Sequence, residues 1–361
     1  MDIETSITAS TSQALNFELC QLEALVAHRV GNKNNEQDFI AGTELLSTKD
    51  GKLNKLLLTY FLKSFVAPEL YQFTFSNGDF RMNPLYAFAC DMFDKTELFL
   101  PRSVDMARLL YDLSTHPQIR SGDLFVAAFS NVVVGAQATR AIGLFKSERK
   151  ADFLKLDHDQ DGFYLFSEKG IQINKLDKGC LIFDLERENG FRIAMIDRVN
   201  KGNDAQYWKD QFLQISPCND SFHQTREFMQ CTRDFLMKEV AHDVPMSKAE
   251  QIDLLNRTAE YFKEHEQFNK AEFESDVFQE PAVIESFRHY TADNLRELPM
   301  EADGGFDISS HAVKKYARNY KSVLKLDKNF HVYIHGDREL IKQGQEEDGR
   351  KYYKIYYQEE H

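Results

Sequence analysis

Apolar and polar positions change period several times along the chain, and each change predicts an element. LVAHRV (Leu25 to Val30) reads as a strand. LNKLLLTYFLKSFV (Leu53 to Val66), Leu85 to Phe93 and Ser103 to His116 have the length and apolar spacing of helices. Phe125 to Val134 is a buried, β-rich run. From Asp152 to Asp197, short apolar segments are punctuated by Asp161-Gly162, Lys169-Gly170, Lys178-Gly179 and Asn189-Gly190. Such dipeptides supply the positive φ of tight hairpin turns, so this stretch predicts an antiparallel meander.

Beyond Pro217 the period becomes helical. Ser221 with Gln224 and Ser247 with Glu250 have capping-box spacing, and Pro281 suits a first helical turn. Ile252, Leu255, Ala259 and Phe262 recur at helical spacing and give one face to bury. After LPMEADGGF, with Pro299 and Gly304-Gly305, a short helix is expected from Ser310, then KSVLKL and FHVYIHG as paired strands. A last hairpin is expected about Asp348-Gly349 within Glu339 to Tyr357. The expected architecture is α+β: a mixed domain over 1–217 with the meander at 152–197, an acidic helical region over 218–299, and a small β-rich domain over 300–361.

A chain of 361 residues builds such cores without staples. The five cysteines, Cys20, Cys90, Cys180, Cys218 and Cys231, show no C-x-x-C spacing and suit buried thiols. The longest apolar run, Leu124 to Gly135, is 12 residues and is broken by Ser130 and Asn131, too short to span a bilayer. The opening MDIETSITASTSQ carries two acids, and no base precedes Arg29, unlike a signal peptide. A soluble intracellular protein without membrane contact is expected. Net charge is −13, which argues against a chain that coats nucleic acid along its length. The acidity is uneven, however: residues 219–300 hold 9 Lys+Arg against 17 Asp+Glu. Ile308 to Lys342 holds 8 basic residues against 3 acids, the one basic patch legible in the sequence.

Candidate chemistry begins with DHDQDGFYLFSE, which spells a calcium loop through Asp157, Asp159, Asp161, Gly162 and Glu168. The loop needs an exiting helix, and the following KGIQINKLDKG does not make one, so a β-turn accounts for the same letters. His331 and His335 share a strand face about 13 Å apart at ~3.3 Å per residue, too far to share a metal ion. Asp184, Glu186 and Arg187 in FDLER read as an exposed strand end rather than a magnesium site. No catalytic constellation, cofactor motif or metal site is expected. Lys314, Arg318, Lys321 and Lys325 form one stripe if a helix continues to Lys325. The alternation in KSVLKL instead favours a strand from about Lys321, with Lys314, Lys315 and Arg318 left on a helix. Tyr316 and Tyr320 read as packing residues.

GIQINKLDKGCLIF (Gly170 to Phe183) and FDISSHAVKKYARNYKSVLKLDKNFHVYIHGDREL (Phe306 to Leu340) resemble the bacterial nucleoid-associated proteins of about 37 kDa. The resemblance extends to LVAHRVGNK and LFVAAFSNVVVG and so covers most of the chain in order. It implies a cytoplasmic, nucleoid-located, non-enzymatic protein that contacts double-stranded DNA. It makes Lys314, Lys315, Arg318, Lys321, Lys325 and Lys328 the candidate phosphate contacts. A homodimer that juxtaposes two basic patches, or recruitment by a chromosome-associated protein partner through the acidic helices, reconciles DNA contact with the acidic balance. A metal-dependent nuclease is the remaining alternative.

Overall fold

The computed structural model describes residues 14–66, 69–160, 162–199, 207–295, 298, 305–320, 323–326, 330–333 and 340–359. By its packing the chain divides into two units, Met1–Cys218 and Asn219–His361. Among the described residues no helix is long and apolar enough to cross a membrane. Helices and antiparallel sheets together give the expected α+β class.

Unit 1 is built on β1 (Leu15–Asn16), β2 (Gln21–Val30), β3 (Phe39–Ile40), β4 (Leu70–Phe73), β5 (Gly122–Val134), β6 (Gln137–Ser147), β7 (Lys150–Asp159), β8 (Gly162–Ile171), β9 (Lys178–Phe183), β10 (Arg192–Asp197) and β11 (Ile215–Pro217). Its helices are α1 (Gly51–Leu62), α2 (Pro84–Asp94) and α3 (Phe99–Leu113). The main sheet runs β11-β4-β10-β9-β6-β5-β2-β3, with β1 pairing β5. Period-2 alternation sends Leu124 and Val126 into a core shared with Leu85, Met106 and Leu110 of α2 and α3. It sends Ala127 and Phe129 into a second core with Tyr60, Phe61 and Leu62 of α1. Both faces of β5 are thus covered, which is why its sequence reads as a continuous apolar run.

The meander proves to be two structures. β9 and β10 join the main sheet, whereas β7 and β8 form a separate two-stranded hairpin. Lys169-Gly170 and Lys178-Gly179 are therefore not turns: Gly170 pairs with Ala151 inside the hairpin, and Lys178 opens β9 opposite Lys146. Gly179 is small because a Cβ there would lie 2.8 Å from Leu176 and 3.1 Å from Phe65. The acidic loop closes a hairpin, with Asp159 opposite Gly162, and β8 rather than a helix follows it. Asp161 lies outside the described residues.

His28 of β2 is buried between sheet and helix. The Gly42 N–H donates to Nδ1 at 3.0 Å, so Nε2 carries the hydrogen and faces Ser103 Oγ at 3.2 Å. Ser103 Oγ in turn donates to the Leu100 carbonyl. Burial pushes the imidazole down to about 4, against 6.5 for an ordinary histidine. A depressed folded-state value makes the neutral form the stabilising one, so its contribution is complete above pH 6.5 and lost as pH falls toward 4. Acidification from pH 7 to 4.5 should cost unit 1 about 2 kcal/mol through this group. The check is urea unfolding followed by Trp208 fluorescence, in which a His28→Gln variant should lose that part of the pH dependence.

Unit 2 contains α4 (Ser221–Asp234), α5 (Val240–Asp243), α6 (Lys248–Glu264), β12 (Gln267–Phe268), α7 (Lys270–Phe273), α8 (Pro281–Asn294), β13 (Phe306–Asp307) and α9 (Ser310–Tyr316). Three short pieces of sheet follow the order β12-β13, β14 (Val323–Leu326)-β15 (Phe330–Tyr333) and β16 (Ile341–Gln345)-β17 (Lys351–Ile355). Ser247 and Glu250 form the reciprocal capping box and Pro281 begins α8. At α4 the cap is Asp220, one residue before the serine the spacing suggested, and its carboxylate accepts from the His223 N–H. Composition separates 218–299 from 300–361, whereas packing joins them: Phe306, Val313 and Tyr320 lie in one core with Phe228, Phe262 and Phe287. β14 to β17 bring Leu326, Val332, Ile341 and Tyr353 onto Ile252 of α6.

Candidate nucleic-acid interface

The basic segment begins at Ser309, whose Oγ caps α9 by accepting from the Ala312 N–H, and whose own N–H donates to Thr225 Oγ1 at 2.9 Å. Ala312 and Val313 are buried, and a tight 3-10 turn over Ala317–Tyr320 follows. Tyr320 is buried and donates its hydroxyl to the Met229 carbonyl. With these residues fixing the inner face, Lys314, Lys315 and Arg318 emerge exposed on the outer one. The helix ends before Lys321, so no continuous stripe to Lys325 forms.

Among the described residues none of Lys314, Lys315 and Arg318 forms an ion pair. The Lys315 ammonium lies over the Phe222 ring at 5.3 Å and the Tyr316 ring at 5.5 Å. Burial of its stem, then repulsion from Arg226 and Arg318, pushes its pKa below the ordinary lysine value. Among the described residues no carboxylate pairs with these three cations, and the nearby Glu227 is held by Arg226. Lys325 occupies β14 opposite His331 on β15. Lys321 and Lys328 lie outside the described residues, as does His335.

Two arginines beside this surface were not legible in sequence. Arg226 and Arg233 stand seven residues apart on α4, near one face. Arg226 Nη2 donates to His223 Nδ1 at 2.8 Å, and Arg233 Nε donates to the Asn319 carbonyl at 3.0 Å. Each is followed at once by an acid and pairs with it: Arg226 Nε donates to Glu227 at 2.9 Å, and Arg233 Nη1 lies 3.5 Å from Asp234. In the final hairpin Lys342, the last base of the patch read in sequence, and Lys354 are direct cross-strand neighbours. Both ammonium groups sit over the ring of Tyr356, at 5.7 and 5.0 Å. Hydrogen bonding from Lys354 lowers the pKa of that phenol. Opposed lysines repel, so an anion at this rung would relieve them.

The strand-end acids are already satisfied. Burial by itself would raise the Asp184 carboxyl, but hydrogen bonds from Arg187 and Arg140 hold it below its ordinary value. Glu186 accepts from Arg192 at 2.8 Å. A different trio, His265, Glu272 and Asp276, brings its ligand atoms within 4.8 Å of one another. His265 Nδ1 faces the Tyr261 carbonyl at 2.9 Å, so that nitrogen carries the hydrogen and Nε2 looks toward Glu272 at 3.8 Å. Among the described residues this trio could hold a metal ion, in a partly exposed position between the end of α6 and the turn that follows α7.

A family model described as nucleoid-associated protein YejK matches residues 26–360. No curated protein matches the chain closely enough to count as a relative.

Proposed function

From the premise that this chain belongs to the nucleoid-associated protein YejK family, we propose that it contacts duplex DNA largely through phosphates, using the outer face of α9 and of the 3-10 turn that follows it. The observation that carries the reading is the exposed charge of Lys314, Lys315 and Arg318, unpaired among the described residues, on a chain whose net charge is −13. Phosphate binding would offset the repulsion that Arg226 and Arg318 add to the effect of burial on Lys315 and release condensed counterions from DNA. Lys321, Lys325 and Lys328 extend the same segment and complete the proposed contact set. Contacts of this kind position a protein on DNA without reading sequence, so binding should be largely sequence-independent. The acidic balance restricts contact to this face and disfavours coating. The protein acts here without catalysis or cofactor, within the nucleoid.

The reading is tested by fluorescence anisotropy of labelled duplexes at low salt. Replacing Lys314, Lys315 and Arg318 with alanine should weaken binding at least tenfold, and equally on unrelated sequences. Loss confined to one sequence would contradict phosphate-dominated contact. Wild-type protein that binds no DNA at low salt would leave recruitment through a chromosome-associated protein as the account of nucleoid association. Cleavage of plasmid DNA in magnesium or manganese would instead establish a nuclease.

A further inference from the structure

We infer that the β7–β8 hairpin is a self-association surface on which a second copy of this chain packs face to face. The two strands pair along their full length, and among the described residues they pair with no other strand. Successive residues point to opposite faces, which here differ in character. One face carries Leu154, Leu156, Phe163 and Leu165, exposed by 72, 63, 79 and 61%. The other also carries aromatics, Phe153 and Tyr164 exposed by 46 and 47%, but they alternate with charge: Lys155 lies over Phe166 at 5.2 Å and reaches Glu168 at 3.9 Å, and Asp157 stands opposite Tyr164. An isolated two-stranded hairpin is marginal in water, and a contiguous apolar face of this kind marks an association site.

The sequence of that face indicates that its occupant is another copy. Lys155 and Phe166 are directly opposite on one rung of the ladder. A twofold axis through that rung, in the plane between two packed hairpins, lays each strand over its own reversed copy. On β7 it sets Leu154 against Leu156 and Asp152 against His158. On β8 it sets Leu165 against Ser167 and Lys169 against Phe163. One axis thus brings leucine to leucine, acid to imidazole and ammonium to phenyl ring, the self-complementarity an isologous interface requires. A foreign partner has no reason to be matched to this symmetry. Sheets packed this way lie about 10 Å apart. The four apolar side chains would remove on the order of 500 Å² per copy, or about 1,000 Å² in all, the lower limit for a specific interface.

The proposal stands independently of DNA contact and is tested without DNA. Sedimentation velocity of the full chain from 1 to 100 µM should show a reversible monomer–dimer equilibrium. Leu156→Asp with Leu165→Asp should raise the dissociation constant at least tenfold. Both residues are exposed, so the melting temperature of the variant should match wild type. Tyr164→Ser, on the opposite face, should dimerise as wild type does. A wild-type monomer at 100 µM, a dimer that survives the paired aspartates, or a dimer lost with Tyr164→Ser would each overturn the proposal.

Discussion

Lys146→Ala is expected to destabilise unit 1 by about 3–5 kcal/mol, the loss typical of breaking one partner out of a buried ion pair. The Lys146 ammonium is fully buried, donates to the Arg120 carbonyl at 2.7 Å and to the Tyr207 hydroxyl at 3.2 Å, and pairs with Glu148 at 3.1 Å. Its cross-strand neighbour Lys178 is equally buried and is neutralised by Asp197 at 2.7 Å. Tyr207 lies under both ammonium groups, at 5.6 and 5.2 Å, and donates to Glu148. Removing Lys146 leaves the Glu148 carboxylate, 2% exposed, without its counter-charge, and opens a cavity beside Tyr207. Replacing both partners, Lys146→Met with Glu148→Gln, should recover at least half of the loss, because no uncompensated charge then stays buried. Urea unfolding followed by Trp208 fluorescence measures both; equal stability of Lys146→Ala and wild type would show that the network contributes nothing.

Phe228→Ala should cost unit 2 a similar amount, about 3–5 kcal/mol, by the combined loss of transfer energy and the cavity left behind. Its ring lies within 6.1 Å, centroid to centroid, of Phe262, Phe268, Phe273, Phe287 and Phe306. Those five come from α6, β12, α7, α8 and β13, so one side chain on α4 gathers most of the unit. Phe228→Leu keeps much of the volume and should cost about half as much. Calorimetry of the full chain would resolve the lowered transition; an unchanged one would mean the cluster repacks around the vacancy.

The parts of this fold written in local pattern were legible, and the parts written in distant partners were not. Gly162 and Gly190 do adopt the positive φ expected of turns, at 132° and 93°. The same dipeptide logic failed at Lys178-Gly179 because the lysine's counter-charge, Asp197, comes from a neighbouring strand, and no window around residue 178 shows that the position is buried. The capping box at Ser247 was readable since its donors and acceptors lie within four residues, while at α4 two adjacent residues could each cap and Asp220 prevailed. On the candidate surface, the exposed cations of α9 were visible as a charge excess. Arg226 and Arg233 each precede an acid, Glu227 or Asp234, that cancels them in a count and pairs with them in the structure, so neither adds net charge to the surface.

The most direct measurement is the salt dependence of duplex binding by wild-type protein and by the Lys314→Ala, Lys315→Ala, Arg318→Ala variant. Each phosphate neutralised adds roughly −0.9 to the slope of log affinity against log salt. Wild type should give a slope of about −3 to −6, and the variant one shallower by about 2 to 3. Equal slopes for the two proteins would show that the phosphates are met elsewhere and contradict the assignment of α9 as the DNA surface.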